Sequence, residues 1–456
     1  MKPALSVFGL GKLGAPLAAC CAAKGFRVIG VDADPRKIEA VEQRRSPVFE
    51  PGLTELIQSA QGRLSATQDA ARAVAESQIT FIVVPTPSEA EGSFSLGFVL
   101  PVCEAIGRAL AEKTDFHLVC LTSTVMPGTT GGAVREVLEA ASGKRCGAGF
   151  GLCYSPEFIA LGSVIRDFLN PDFLLIGESD PQSGARLEAL YREVCENRPA
   201  VARMNFVNAE LAKLAVNTYV TTKISFANML ARVCERLPGA DVDEVTRAIA
   251  LDSRIGAKYL RGAISYGGPC FPRDNLAFTA LARQLDAPAH LAETTDQFNR
   301  MQIGWLAGLV ESHLPEEGTA GILGLTYKPD TDVVEQAVGL LLAQELMARG
   351  ARVLAFDPVE NQAAVRRDCG QIALAANAEE CIAKSAVVVL ATPWPEFRKI
   401  PAERWSSPTG SRVVIDCWRA LASVKFGSDV IYLPLGTAAV GQAPGREAVA
   451  RKNSGS

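Results

Sequence analysis

The chain opens with the pattern of a strand buried on both faces. Residues 4 to 9 (Ala-Leu-Ser-Val-Phe-Gly) form a short, nearly continuous apolar run closed by a glycine, which reads as a strand of a parallel sheet. Residues 12 to 24 follow with the composition of a helix, and 27 to 32 (Arg-Val-Ile-Gly-Val-Asp) form a second apolar run. Strand, helix and strand in about thirty residues predict a βαβ unit. Apolar runs at Ile79 to Val84 and His117 to Leu121, each followed by turns rich in Thr, Pro and Gly, extend the same sheet. Their loops fall at the carboxyl ends of the strands, where parallel sheets bind ligands.

The rhythm changes after residue 204. Residues 205 to 236 place apolar or small residues at helical spacing with no Gly or Pro before Pro238, which predicts one long helix of the kind that separates domains. Strand grammar then returns. Gly321 to Leu325 reads as a strand, 335 to 349 as a helix ending at Gly350, Arg352 to Asp357 as a strand, and Val387 to Ala391 and Val413 to Asp416 as later strands. The expected fold class is α/β, with two Rossmann-like doubly wound α/β domains joined by a central long helix and a helical domain. The expected boundaries are 1–203, 204–302 and 303–440. A Gly/Ala/charge-rich tail from 441 to 456 is expected to be disordered.

Length agrees with several domains, since 456 residues exceed what one core organises, and 48% hydrophobic residues suffice to fill them. A net charge of −4 argues against general nucleic-acid binding. Twelve cysteines without a C-x-x-C pair, beside three histidines, fit neither a disulfide framework nor a zinc site and point to a reducing compartment. Leu17-Ala18-Ala19-Cys20 imitates a lipoprotein signal, but Gly9, Gly11 and Gly14 interrupt the apolar run, and strand-turn-helix explains it better. No apolar run approaches the roughly 20 residues that span a bilayer. A soluble, cytoplasmic protein that engages neither membrane nor nucleic acid is expected.

Candidate chemistry enters at the first turn. Gly9-Leu10-Gly11-Lys12-Leu13-Gly14 is G-x-G-x-x-G between a strand and a helix, where glycines allow a tight turn and the helix N-terminus faces a pyrophosphate. Asp32 closes the second strand eighteen residues after Gly14, placed to accept hydrogen bonds from an adenosine ribose and to repel a 2′-phosphate, which favours NAD over NADP. Lys37, five residues on, either flanks the adenosine or lies on a solvated helix face.

Farther along, Gly267-Gly268-Pro269-Cys270-Phe271-Pro272-Arg273-Asp274 sets a cysteine in a Gly/Pro turn beside a cation. A thiolate needs such surroundings, although taken alone the cysteine reads as a buried, inert one. With this segment the chain resembles the UDP-glucose/GDP-mannose dehydrogenase family, in which G-G-x-C-[FL]-P-[KR]-D carries a catalytic nucleophile. Other blocks agree in order: Phe49-Glu50-Pro51-Gly52-Leu53, Thr86-Pro87, Ser123-Thr124-Val125-Met126-Pro127-Gly128-Thr129, Ser155-Pro156-Glu157-Phe158, Glu210-Leu211-Ala212-Lys213 continuing to Asn217 and Thr222-Lys223-Ile224-Ser225-Phe226, and Gly324-Leu325-Thr326-Tyr327-Lys328-Pro329. The resemblance runs from Val7 to about Arg419.

It implies two successive oxidations of a nucleotide sugar, UDP-glucose first among the options, consuming two NAD through a thiohemiacetal and a thioester on Cys270. Lys213 and Asn217, four apart on a helix and so on one face, would serve the sugar oxygen. Glu157 would help activate water for thioester hydrolysis, with Thr124 and Asp274 placing water or Lys213. The implied cofactor contacts are Gly9, Gly11, Leu13, Gly14, Asp32, Lys37, Thr86, Pro87 and Thr124. The implied substrate contacts are Phe158, Lys213, Asn217, Arg254, Tyr259, Arg261, Gly267, Tyr327, Lys328 and Arg419, with no metal. Arg254 would reach the neighbouring subunit's substrate in a homodimer built on the long helix.

Three positions depart from the family pattern. Leu161 stands where an acid is usual, Glu335 where an arginine linked to the cofactor is usual, and Asp416-Cys417-Trp418-Arg419 replaces Asp-Gly-Arg-Asn, so that the arginine is displaced by one. Two other readings accommodate parts of the chain. A two-electron hydroxyacid-type dehydrogenase has no use for Cys270 or a second α/β domain, and an inactive nucleotide-binding regulator would bind a nucleotide sugar without forming NADH.

Overall fold

The apolar runs become strands because a segment buried on both faces of a sheet accepts only apolar side chains. Strands β1 (Leu5–Phe8), β2 (Val28–Val31), β3 (Leu64–Thr67), β4 (Ile79–Ile82), β5 (Leu118–Leu121), β6 (Gly151–Tyr154), β7 (Phe173–Glu178) and β8 (Ala200–Met204) form one sheet. Every residue of β1, β2, β4, β5 and β6 is buried. The order is β3-β2-β1-β4-β5-β6-β7-β8, parallel except for the antiparallel β6/β7 pair. The order reverses between β1 and β4, the position at whose strand carboxyl ends open parallel sheets bind ligands.

This is a computed structural model, and it describes residues 2–359, 362–407 and 410–438. The predicted tail at 441–456 lies outside the described residues. The chain divides into two units, one of Met1–Val216 with Ala277–Ala287 and the other of Asn217–Leu276 with Pro288–Ser456. The second unit carries its own sheet of β9 (Thr319–Leu323), β10 (Arg352–Phe356), β11 (Ala373–Leu374), β12 (Val387–Leu390), β13 (Arg412–Asp416) and β14 (Val430–Pro434). Its order, β11-β10-β9-β12-β13-β14, repeats that of the first six strands of the first sheet, and every pair is parallel.

Both sheets turn from their first strand in the same way. Gly9 (φ +100) ends β1, and a Cβ on Gly14 would lie 1.9 Å from its carbonyl oxygen. Gly324 (φ +99) ends β9, and a Cβ on Gly339 would lie 1.9 Å from that carbonyl. The left-handed backbone, open to glycine, stops each strand before the glycine that the hydrophobic pattern had included. The predicted 205–236 helix is observed as Phe206–Cys234. Strands β3, β6, β7, β8, β11 and β14 are absent from the sequence reading. β3 (Leu-Ser-Ala-Thr) is only half-buried, and β11 is two residues long, so neither carries a strand-like apolar run. Among the described residues no helix is long and apolar enough to cross a membrane.

Candidate active site

The first unit presents the glycine loop. The helix Gly14–Ala23 begins after Leu13 with no side chain capping its first turn, where the Ala15 N–H is taken by the Gly11 carbonyl (3.1 Å) and Pro16 has no N–H; a helix start free of side-chain caps is where an anion is favoured. A Cβ on Gly9 would meet the Val83 carbonyl oxygen at 2.2 Å, whereas one on Gly11 would meet nothing within 4 Å. Gly9 and Gly14 are therefore glycines for packing, and Gly11 borders the open space. Asp32 accepts from the Leu10 N–H (2.7 Å) and Lys37 Nζ (3.0 Å) on Oδ2 and from the Asp34 N–H (2.9 Å) on Oδ1. Of the two readings of Lys37, the structure shows it turned back onto Asp32.

The loops after β4, β5 and β6 carry the next group. The Thr86 hydroxyl donates to the Thr124 carbonyl (2.8 Å), and the Pro87 carbonyl accepts from Ser95 N–H (2.8 Å). Lys213, buried on the long helix, donates from Nζ to the Glu157 carbonyl (2.7 Å) and lies 4.6 Å from the centre of the Phe158 ring. Glu157 Oε1 is sealed from solvent with no hydrogen-bond partner. Burial pushes this carboxyl up to about 7, with Lys213 acting in the opposite sense.

The second unit holds Cys270. Its carbonyl accepts from the Asp274 N–H (2.8 Å), which places the cysteine at the N-terminal end of the helix Phe271–Gln284. All twelve cysteines lie among the described residues, and Cys270 is the exposed one. Burial pushes thiols such as Cys103 up to about 12, out of reach of the thiolate form, while a helix N-terminus favours it. The turn before Cys270 requires its glycines. A Cβ on Gly267 would lie 2.0 Å from the Gln336 carbonyl, and one on Gly268 (φ +86) 2.7 Å from the Tyr327 ring. Asp274, 1% exposed, accepts from Asn217 Nδ2 (2.6 Å) and Arg273 Nη2 (3.2 Å), so the amide expected to face the sugar is oriented by the carboxylate.

The expected substrate residues fare unequally. Tyr259 packs edge-on to Phe271 at 5.8 Å, and Arg261 donates to the Trp418 carbonyl (2.9 Å). Tyr327 and the partly buried Lys328 follow β9 on the loop that abuts Gly268. Arg254 projects outward, paired with Asp252 at 2.6 Å. Arg419 requires a correction. Its guanidinium turns inward to Asp243 (two bonds of 2.7 Å), the Leu435 carbonyl (2.6 Å) and the Gly262 carbonyl (2.6 Å). With four of five N–H donors committed, it serves as an internal strut, and no ligand contact is assigned to it.

The family models match in chain order. The NAD binding domain of the UDP-glucose/GDP-mannose dehydrogenase family matches residues 3–195, its central domain 207–301 and its UDP binding domain 321–423. The chain is 35% identical over 416 residues to UDP-glucose 6-dehydrogenase AglM of Haloferax volcanii, covering 90% of this chain and 96% of that protein. The chain belongs to the UDP-glucose/GDP-mannose dehydrogenase family. It is also 37% identical over 357 residues to GDP-mannose 6-dehydrogenase of Pseudomonas aeruginosa, covering 77% of this chain and 80% of that one. A solved UDP-glucose dehydrogenase from Pyrobaculum islandicum superposes with a TM-score of 0.86 at 33% identity, over 96% of this chain and 98% of that chain. As a member of the family the protein is an NAD-dependent nucleotide-sugar 6-dehydrogenase. NAD fits the first unit, where Gly11 borders open space beside an uncapped helix N-terminus and Asp32 stands at the end of β2.

Two residues of the family motifs have structural parts that the sequence reading left blank. Glu50 and Glu210 are buried and accept hydrogen bonds from main-chain N–H groups of the loops that carry Glu157 and Thr124. The available signal was an acid three residues before Lys213, on the same helix face.

Proposed function

We propose that the protein converts the C6 hydroxymethyl of a nucleotide sugar to a carboxylate in two oxidations, with UDP-glucose as substrate and Cys270 as covalent nucleophile. The observation that carries this reading is the exposed Cys270 at a helix N-terminus, set against buried thiols elsewhere. UDP-glucose is favoured by the relatives from Haloferax and Pyrobaculum, whose names state that substrate. GDP-mannose is the second reading, because the Pseudomonas relative is of comparable identity.

NAD, when bound, takes up two electrons in each oxidation. Lys213 and Asn217 orient the C6 oxygen, and Lys213 assists departure of its proton, so the first oxidation leaves an aldehyde. An aldehyde has no carbinol to oxidise, and Cys270 supplies one: Sγ bonds to the carbonyl carbon while the C=O electron pair moves to oxygen and is protonated. Oxidation of this thiohemiacetal leaves a thioester. Glu157 takes a proton from water, with Thr124 placing that water, as its oxygen bonds to the thioester carbon. The C–S bond then breaks, its electron pair returns to Sγ, and the acid is released.

A cytoplasmic homodimer built on the long helix, with Arg254 reaching toward the partner's substrate, belongs to the same proposal. The deciding experiment supplies NAD with UDP-glucose, GDP-mannose, dTDP-glucose and UDP-N-acetylhexosamines and measures NADH formed per sugar consumed. A ratio of two with an acid product is expected. A ratio of one with an aldehyde product refutes the four-electron reading, and binding without NADH marks an inactive regulator.

A further inference from the structure

Two motifs that underlie the family resemblance, Phe49-Glu50-Pro51-Gly52-Leu53 and the Glu210 of Glu210-Leu211-Ala212-Lys213, have no place in the chemistry above. Their glutamates do the same thing to two different loops. Glu210, 0% exposed, accepts from the Gly128 N–H on Oε2 (2.6 Å) and from the Thr130 N–H on Oε1 (2.7 Å). Glu50, 8% exposed, accepts from the Gly162 N–H on Oε2 (2.8 Å) and from the Val164 N–H on Oε1 (2.7 Å). In both cases the donors are a glycine and the residue two positions later, and the glycine has a left-handed backbone (Gly128 φ +95, Gly162 φ +83). Left-handed turns of this kind aim main-chain N–H groups at one point and form an anion cradle. Here each cradle is filled by a carboxylate of the same chain.

The loops so held are those of the proposed hydrolysis. The Glu210 cradle closes the loop that begins at Thr124, whose carbonyl is held at the near end by Thr86. The Glu50 cradle closes the loop that begins at Glu157, whose carbonyl is held by Lys213. Burying a carboxylate is costly unless both oxygens are engaged, so these residues are expensive choices for packing alone. A glutamine of equal volume accepts through one oxygen only and leaves the second N–H facing an NH₂ group. A single helix carries Glu210 and Lys213, one grip on each loop.

We propose that Glu50 and Glu210 are positioning residues that fix the Glu157 and Thr124 loops for thioester hydrolysis. This rests on the covalent reading given above. The step it governs is attack of water on the thioester carbon, after both oxidations are complete. Loss of one clamp bond should therefore spare NADH formation and prolong the life of the acyl-enzyme.

The experiment is a single turnover with full-length protein in excess over the sugar that gives two NADH in the panel above. NADH is followed optically, and the Cys270 adduct by intact mass after an acid quench. Glu50→Gln and Glu210→Gln should form NADH at near wild-type rate, while the adduct decays about tenfold more slowly. Hydroxylamine, which attacks a thioester without a positioned water, should speed adduct loss more in these variants than in wild type, a response that a general loss of stability does not produce. Adduct decay equal to wild type, or equal slowing of both oxidations and decay, overturns the proposal. The absence of any adduct in wild type refutes the covalent reading instead. The clamps are separate, so either variant alone suffices if the other does not fold.

Discussion

At position 270 a thiol stands at a helix N-terminus in the open, while burial holds Cys103 and Cys381 up at about 12. Cys270→Ser should abolish steady acid formation, to below about one-thousandth of the wild-type rate, and Cys270→Ala should stop after one oxidation at most. Unchanged turnover in either variant refutes the covalent mechanism. Glu157 makes a second residue-scale prediction. Its folded-state value of about 7 lies above the ordinary 4.5, so ionising it costs stability, a cost that grows from about pH 4.5 to about pH 7 and then remains. Glu157→Gln should be more stable than wild type at pH 8, by up to about 3 kcal/mol, yet slow in thioester hydrolysis. In the wild type the hydrolysis rate should rise through about pH 7 as the base forms, and the glutamine variant should lack that limb. A thermal melt at pH 5 and pH 8, with rates across the same interval, tests both signs.

At the scale of elements, three glycines that look alike in G-x-G-x-x-G separate by what surrounds them. A methyl group on Gly14 would collide with the Gly9 carbonyl at 1.9 Å, whereas on Gly11 it would project into open space. Gly14→Ala should destabilise the first unit by about 1–3 kcal/mol or more. Gly11→Ala should melt like wild type but bind NADH about tenfold more weakly, because the methyl group occupies space needed by the pyrophosphate. Equal NADH affinity for Gly11→Ala and wild type, measured by fluorescence titration, would remove Gly11 from the cofactor contacts. The motif was legible in the sequence because turn chemistry is local. The clamps of Glu50 and Glu210 were not, since a carboxylate and its cradle lie 80 or more residues apart along the chain.

On the scale of the whole molecule, the second sheet repeats the order of the first six strands of the first and the same glycine turn, yet only the first sheet follows its turn with a complete G-x-G-x-x-G. The long helix leaves apolar side chains uncovered in the second unit, among them Tyr219 (62% exposed), Phe226, Met229 and Val233 (54%). Uncovered apolar surface of this kind marks a contact face. The proposed homodimer should therefore give way to a monomer in Phe226→Glu/Val233→Glu, as read by analytical ultracentrifugation, with loss of any Arg254-dependent substrate affinity. A double variant that stays dimeric would place the interface elsewhere.

The sequence by itself determined the strand-turn-helix starts, the length of the central helix, the dinucleotide motif and the cysteine turn, all of which depend on neighbours within a few residues. It also carried the family, through motifs in fixed order. Tertiary structure alone decided which of twelve thiols is exposed, that Lys37 pairs with Asp32, that Asp274 orients Asn217, and that Arg419 is consumed internally. Each depends on burial or on a partner remote in the chain, and neither exposure nor the commitment of a hydrogen-bond donor is encoded in local spacing.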